Sequence, residues 1–260
     1  MSAKYELTAT SKVVSGHTVY RIKALRSFST VTIGDLGGWV ETETNLSHDG
    51  DCWVNSDAVA YESAQIYEDA FIDGTSMAYG SARAYGMSYV GDNAKIYGSA
   101  RVYGATFIFE SAQIYGSAEA YETAWVWGTA QVYGSAQVYG DCTIGESAQI
   151  YDFSHIYGTA SITGTAQVYG YAWVYGYSQI SSNAIIRACS KVNNQTVGLN
   201  GIVETACPVV PSADYKNPNN PEKIYMKTGA NALIDIDTGD LKVLLSSSSI
   251  GPFSIIDNSL

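Results

Sequence analysis

Residues 130–176 read AQVYGSAQVYGDCTIGESAQIYDFSHIYGTASITGTAQVYGYAWVYG. One six-residue phrase recurs through this stretch: aliphatic, any, often Gly, any, small, any. It extends in both directions, from Val54 to Val197, and these 144 residues divide into 24 hexads without insertion or deletion. Every first position in the span is Val, Ile or Ala, and every fifth is Ala, Ser, Thr or, at Cys142, Cys. Fifth and first positions lie two residues apart across the hexad boundary, so an extended chain points both to one side. That side is the interior. Each hexad is therefore a short strand with a turn, and the frequent Gly at the third position supplies the turn's positive φ.

A second periodicity fixes the coil. Tyr61, Tyr79, Tyr97, Tyr115, Tyr133, Tyr151 and Tyr169 recur every 18 residues at the second position, and Tyr67, Tyr85, Tyr103, Tyr121, Tyr139, Tyr157 and Tyr175 form another such series. The remaining series is mixed: Asn55, Asp73, Gly91, Phe109, Trp127, Gly145, Thr163, Ser181. Three hexads per turn explain this, because residues 18 apart then stack as rungs. The expectation is an all-β fold, a parallel β-helix shaped as a triangular prism. Its 144/18 = 8 coils, at ~4.8 Å per stacked strand, give a length of roughly 38 Å.

Outside the repeat the chain reads differently. Residues 1–53 form an N-terminal β cap leading into the first coil. Lys4–Thr8 and His17–Leu25 flank a Ser15-Gly16 turn as a hairpin, and the Gly-rich segment GDLGGWVE follows. Residues 198–221 form a Pro/Asn-rich linker holding four of the chain's five prolines. Residues 222–260 are a C-terminal β-hairpin unit, with NALIDID and LKVLL on either side of Thr238-Gly239. Open solenoid ends leave unpaired strand edges, which is the physical reason to expect caps at both ends.

Composition narrows the function classes. The net charge of −11 argues against nucleic acid, which needs clustered Lys and Arg, and against an anionic membrane surface. No apolar run approaches the ~18 residues of a membrane span. The opening MSAKYELTATSK lacks the apolar core of a signal peptide. Cys52, Cys142, Cys189 and Cys207 show neither metal-type spacing nor disulfide-rich density. They read as reduced thiols, and the expected location is cytoplasmic. The sequence calls for no cofactor and no metal.

The hexads resemble the left-handed parallel β-helix built from hexapeptide repeats, over residues 54–197. Handedness is implied by that resemblance alone, since parallel crossovers are otherwise right-handed. The segments GDLGGWVE and NLSHDGDCWV resemble the opening of phage and bacterial hexapeptide-repeat proteins, often described as transferases or polymer-forming proteins without an established activity. The resemblance implies a phage origin, and so the host cytoplasm or a virion as location.

Hexapeptide-repeat folds include acyltransferases that form trimers and use a His as general base, usually beneath an extruded loop. This chain extrudes no loop. Its three His are His17 and His48 before the repeat and His155 at an outward sixth position. None has an orienting carboxylate nearby in sequence.

The outward columns are more informative. Gln113, Gln131, Gln149 and Gln167 run beside the first Tyr series, where stacked amides and rings stabilise the coils. The third face instead carries Phe71, Tyr89, Phe107 and Trp125, flanked by Phe109 and Trp127. Farther along it turns polar, at Thr143, Ser161 and Gln179. Six rings on adjacent rungs make a large patch for a solvated surface. The terminal unit, a second copy (a homo-oligomer, with a trimer as one form) or a host or virion protein would cover it. The expected function is a non-catalytic structural or protein-interaction module that uses this half-face. The alternatives are an acyltransferase and a phage decoy of a host defence factor.

Overall fold

The computed structural model describes residues 3–206, together with the backbone strands Lys216–Asn217, Asn220–Lys227, Ala232–Asp235 and Leu241–Val243. The chain divides into two units, Met1–Thr205 and Ala206–Leu260. In the second unit the four strands pair antiparallel in chain order. The expected hairpin partners Ala232–Asp235 and Leu241–Val243 are joined in it, while Thr238 and Gly239 lie outside the described residues.

The first unit is a β-solenoid. Its coils stack into three parallel sheets of two-residue strands, and residues 18 apart pair directly: Gln113 with Gln131, Ile114 with Val132. Each coil hydrogen-bonds to the next, as where the Tyr97 N–H donates to the Ile114 carbonyl at 3.0 Å and the Lys95 N–H to the Ala112 carbonyl at 2.9 Å. The first-position side chains from Val54 to Val192 are all buried, and so are the fifth positions as far as Ser190. The interior is thus filled by one aliphatic and one small residue per hexad, close to the packing a narrow prism allows. Hydroxyls that fall inside are satisfied locally except at Ser88, whose buried Oγ has no hydrogen-bond partner. Ser76, Ser178 and Ser190 each donate to the carbonyl three residues earlier, at 2.6–2.7 Å.

The corners explain the third position. It takes positive φ throughout, both at glycines such as Gly116 (φ 71) and at acidic residues such as Glu122 (φ 61). A side chain in this conformation costs roughly 1 kcal/mol, and some acidic residues offset it along the axis. The carboxylate of Glu62 accepts the Gly80 N–H at 2.6 Å, Glu68 that of Gly86 at 2.9 Å, and Asp92 that of Glu110 at 3.0 Å. Each is the third position of the next coil. At Gly116 an added Cβ would sit 3.0 Å from the Gly134 nitrogen, so the stacked backbone leaves little room there.

The parallel ladder runs farther than the strict phrase at both ends, giving about nine coils instead of eight. A 10-residue strand β1 (Tyr5–Val14) and β2 (His17–Ala24) form the expected hairpin around Ser15-Gly16, and β2 pairs with β3 (Leu36–Val40). Strand β3 then pairs parallel with Val59–Ala60, Val40 opposite Ala60. That spacing is 60 − 40 = 20 residues, which hides the coil from an 18-residue search. At the other end the spacing shortens to 17, with Ile180 opposite Val197 and Ile185 opposite Ile202. The last hexad is therefore one residue short. Val197 takes the aliphatic place, and Thr196, expected inside as a fifth position, is exposed.

The hairpin shares the solenoid's core: Tyr5, Ile22, Ala24, Phe28 and Val31 belong to the same buried cluster as Trp53 and the first coils. Lys4, fully buried, donates from Nζ to the Cys52 carbonyl at 2.8 Å and to the Gly50 carbonyl at 3.4 Å, and lies 3.1 Å from Cys52 Sγ. A buried ammonium needs such partners. Because each inward aliphatic is held in register between its counterparts one coil above and below, as Ile114 is between Ile96 and Val132, a mid-solenoid truncation opens a void that neither neighbour can fill. Ile114→Ala is expected to lower unfolding stability by about 2–5 kcal/mol, read from the urea midpoint at unchanged slope.

Candidate association face

The outward residues build three unlike faces. On the first sheet the seven rings from Tyr61 to Tyr169 stack at 4.8–5.1 Å with planes within 12° of parallel. The second series, Tyr67 to Tyr175, does the same beside the second sheet. Phenols reach the next coil's polar column: Tyr97 and Tyr115 donate to Gln113 and Gln131 at 3.1 and 3.2 Å. Burial pushes the phenol acidities down, so that the pKa values of Tyr79, Tyr121 and Tyr151 rise to about 12. The first ladder ends on cations or potential cations. His17 lies 5.1 Å from the Tyr61 ring, and Arg187, the next rung after Tyr169, reaches its hydroxyl at 3.5 Å.

The third sheet joins five of the six sequence-singled residues by ring contacts and places the sixth, Trp127, over Gly145. Phe71, Tyr89, Phe107 and Trp125 are successive rungs in register. Their ring centroids are 6.3, 6.0 and 5.0 Å apart, and Phe109 meets Trp125 edge-on at 5.9 Å. Irregular ring tilts, up to 38°, replace the even stacking of the Tyr ladders. Exposure rises along the column: Phe71 and Tyr89 are half-buried, Phe107 is 37 % exposed and Trp125 47 %. Trp53, one rung before Phe71, is fully buried and anchors the column.

Two glycines make seats for rings. A Cβ at Gly91 would fall 2.7 Å from the Tyr89 hydroxyl, and one at Gly145 would fall 2.6 Å from Trp127 Nε1. The rings occupy the space where side chains would stand, which explains both glycines in the otherwise mixed second-position series. Tyr89 is also tied to Asp73 by a hydrogen bond. Burial opposes ionisation of that carboxyl, but bonds from Ser56 (2.6 Å), the Gly74 amide (2.7 Å), Asn55 (3.1 Å) and Tyr89 prevail and hold its pKa low.

The histidines acquire neighbours that sequence spacing could not show. His17 Nδ1 lies 3.0 Å from Glu41 and Nε2 3.4 Å from Glu62, so both ring nitrogens face carboxylates. His48 accepts the Lys4 N–H at 3.1 Å and stacks on Tyr5. His155 sits 5.1 Å from the Trp173 ring, and burial lowers its pKa. Among the described residues no group of three or more His, Cys, Asp or Glu could hold a metal, and no helix is long and apolar enough to cross a membrane.

A second aromatic cluster escaped the sequence reading. Phe153 and Tyr171 stack at 5.1 Å on a corner, both exposed, near exposed Trp173, which carries Lys191 at 5.1 Å. Sorting the fourth positions by 18 would have found it, since Ser99, Ser117 and Ser135 give way there to Phe153 and Tyr171. The reduced-thiol expectation also needs correction. Cys52 and Cys142 are buried free thiols, but Cys189 is disulfide-bonded. Cys142 occupies an inward fifth position, whereas Cys189 sits at an outward corner position where a bond to another segment can form; Cys207 lies outside the described residues. No family model matches the chain, and no curated protein matches it.

Two tests follow from these contacts. Gly145→Ala is expected to push the Trp127 indole off its seat, changing tryptophan emission while the far-ultraviolet dichroism stays that of the parent. His17 has a pKa raised chiefly by its bond to Glu41, whose own pKa is correspondingly lowered. A raised folded-state His pKa stabilises below its unfolded value of 6.5 and is lost as pH rises through the higher folded value. The melting temperature is therefore expected to fall as pH rises from about 6.5 into this range, and His17→Gln to remove that fall.

Proposed function

We propose that the solenoid is a rigid, non-catalytic module of the left-handed hexapeptide-repeat kind that works by presenting its third sheet to another protein surface, with Phe107 and Trp125 at the centre of contact. The observation that carries this reading is the departure from regular stacking. Two faces bury their rings against each other in even ladders, whereas the third leaves Phe107 and Trp125 projecting and exposed. Clustered large aromatics with partly free surface are the residues from which interfaces draw most of their binding energy.

The histidine geometry supports the non-catalytic half of the reading. A general base needs one ring nitrogen free for substrate and the other oriented. His17 has carboxylates at both nitrogens, and His155 stands in register between Gln137 and Trp173, with the Trp173 ring at 5.1 Å.

The test is assembly. Light scattering of the wild-type chain should give a mass above the 27.9 kDa of one copy, and Phe107→Ser with Trp125→Ser should weaken association at least tenfold, about 1.4 kcal/mol. Identical masses for wild type and double variant, with no change in binding to any captured partner, would overturn the reading.

A further inference from the structure

We propose that the occupant of the aromatic half-face is a cationic, arginine-rich segment of another protein, which lays guanidinium groups over Phe107 and Trp125 and meets carboxylates on both sides of them. This rests on the reading of the third sheet as an association surface and gives that surface a partner chemistry. The observation that carries it is where the chain's negative charge stands. Glu68, Asp69 and Glu122 occupy the corner that leads into the sheet, each two or three residues before a ring. Asp92 and Glu110 occupy the corner that leaves it, three residues after Tyr89 and Phe107, and Asp73 follows Phe71 by two. Asp141 and Glu146 flank the next rung, at Thr143. All are exposed except Asp73, which is half-buried.

Nothing positive balances them. Residues 68–76, 86–94, 104–112, 122–130 and 140–148 form the strands of this half with their corners, and they hold no Lys, Arg or His. Among the described residues none of these carboxylates forms an ion pair. Elsewhere acids do find cations: Glu119 meets Arg101 at 3.2 Å, and His17 stands between Glu41 and Glu62. At the rim the donors are neutral, as where Asp92 accepts the Glu110 N–H at 3.0 Å and Glu68 that of Gly86 at 2.9 Å, so the charge stays in place. The polar half of the same sheet is different, because residues 158–166 and 176–184 hold no charged side chain. Rings and uncompensated carboxylates thus coincide in one half of one face.

An occupant has to answer both features. The π-face of a ring attracts a cation, that of Trp most strongly. The field around the column is negative as well: burial, then the carboxylates of Asp73 and Asp92, raise the pKa of the Tyr89 phenol. Arginine suits such a site better than lysine, since its planar guanidinium lies flat on a ring and still directs N–H groups sideways to carboxylates. The exposed apolar surface of Phe107 and Trp125 calls for apolar neighbours between the cations, which a polypeptide supplies and a small polyamine does not. A second copy presenting this same sheet would instead set Asp141 and Glu146 against like charges, which costs affinity.

The test is binding of a dye-labelled synthetic peptide of alternating arginine and leucine to the full chain, read by anisotropy and by tryptophan emission. The wild type should bind it, more weakly as salt rises, and should not bind the same peptide with glutamate in place of arginine. Glu110→Gly with Glu122→Gly should weaken binding roughly tenfold. The dichroism should stay unchanged, because the same two columns already hold Gly128 and Gly104 at φ 73 and 72. Phe107→Ser with Trp125→Ser should weaken binding at least as much. Asp152→Gly removes a corner charge outside this face and should leave the affinity unaltered.

Full affinity in the charge variant, with loss in the ring variant, would overturn the cationic partner and leave the association face standing. A wild-type chain that binds neither peptide would also overturn it, with the face itself then judged by assembly mass. A loss in Asp152→Gly equal to that in Glu122→Gly alone would mean that binding follows net charge, and would overturn the site. Displacement of the peptide by spermine at equal concentration would make a small polycation the occupant and overturn the polypeptide.

Discussion

The rise of one coil, about 4.8 Å, is the constraint on which the rest of this structure depends. Because the second-, fourth- and sixth-position amides donate to carbonyls 17 residues on, residues 18 apart are forced into register whatever their side chains. Inside, this requires an aliphatic residue above an aliphatic residue and a small one above a small one. Outside, it sets identical side chains within contact distance, and planar rings are the groups that gain most from being stacked at that spacing. With planes nearly parallel and centroids at 4.8 Å, the rings are slipped against each other, the arrangement that their quadrupoles favour.

The same constraint explains the corners. A third-position amide has no place in the inter-coil ladder, yet it must sit in a left-handed turn. Glycine relieves the turn but offers no side-chain acceptor to the amide of the next coil. Glu62, Glu68 and Asp92 bear the conformational cost and supply an acceptor to the amide of the next coil. Acidic residues at this position thus belong to the scaffold, and seven of the chain's 25 Asp and Glu residues stand there.

Against this regularity, the third sheet stands out because its outward residues differ in size from rung to rung. Stacking is optimal only between like neighbours. Where Tyr89, Phe107 and Trp125 succeed one another, the rings tilt, Tyr89 lies on Gly91, and the neighbouring Trp127 lies on Gly145. The sheet then drops to Thr143 and Ser161. A face of this kind stacks less evenly than either Tyr ladder does, and in the proposed reading its aromatic surface is the one presented to another protein.

The sequence by itself determined the inward positions, the three-hexad coil, both Tyr ladders and the membership of the aromatic face, because each is a relation between residues at a fixed spacing. It did not show the coils at either end, where the spacing becomes 20 and then 17 and Thr196 turns outward. The carboxylates around His17, the Lys4 ammonium against Cys52, and the lie of Trp127 over Gly145 were equally hidden. Only the tertiary structure decided these. They join segments related by no period, or depend on which way a ring turns once its neighbours are in place, and a repeat specifies position along the coil without specifying either.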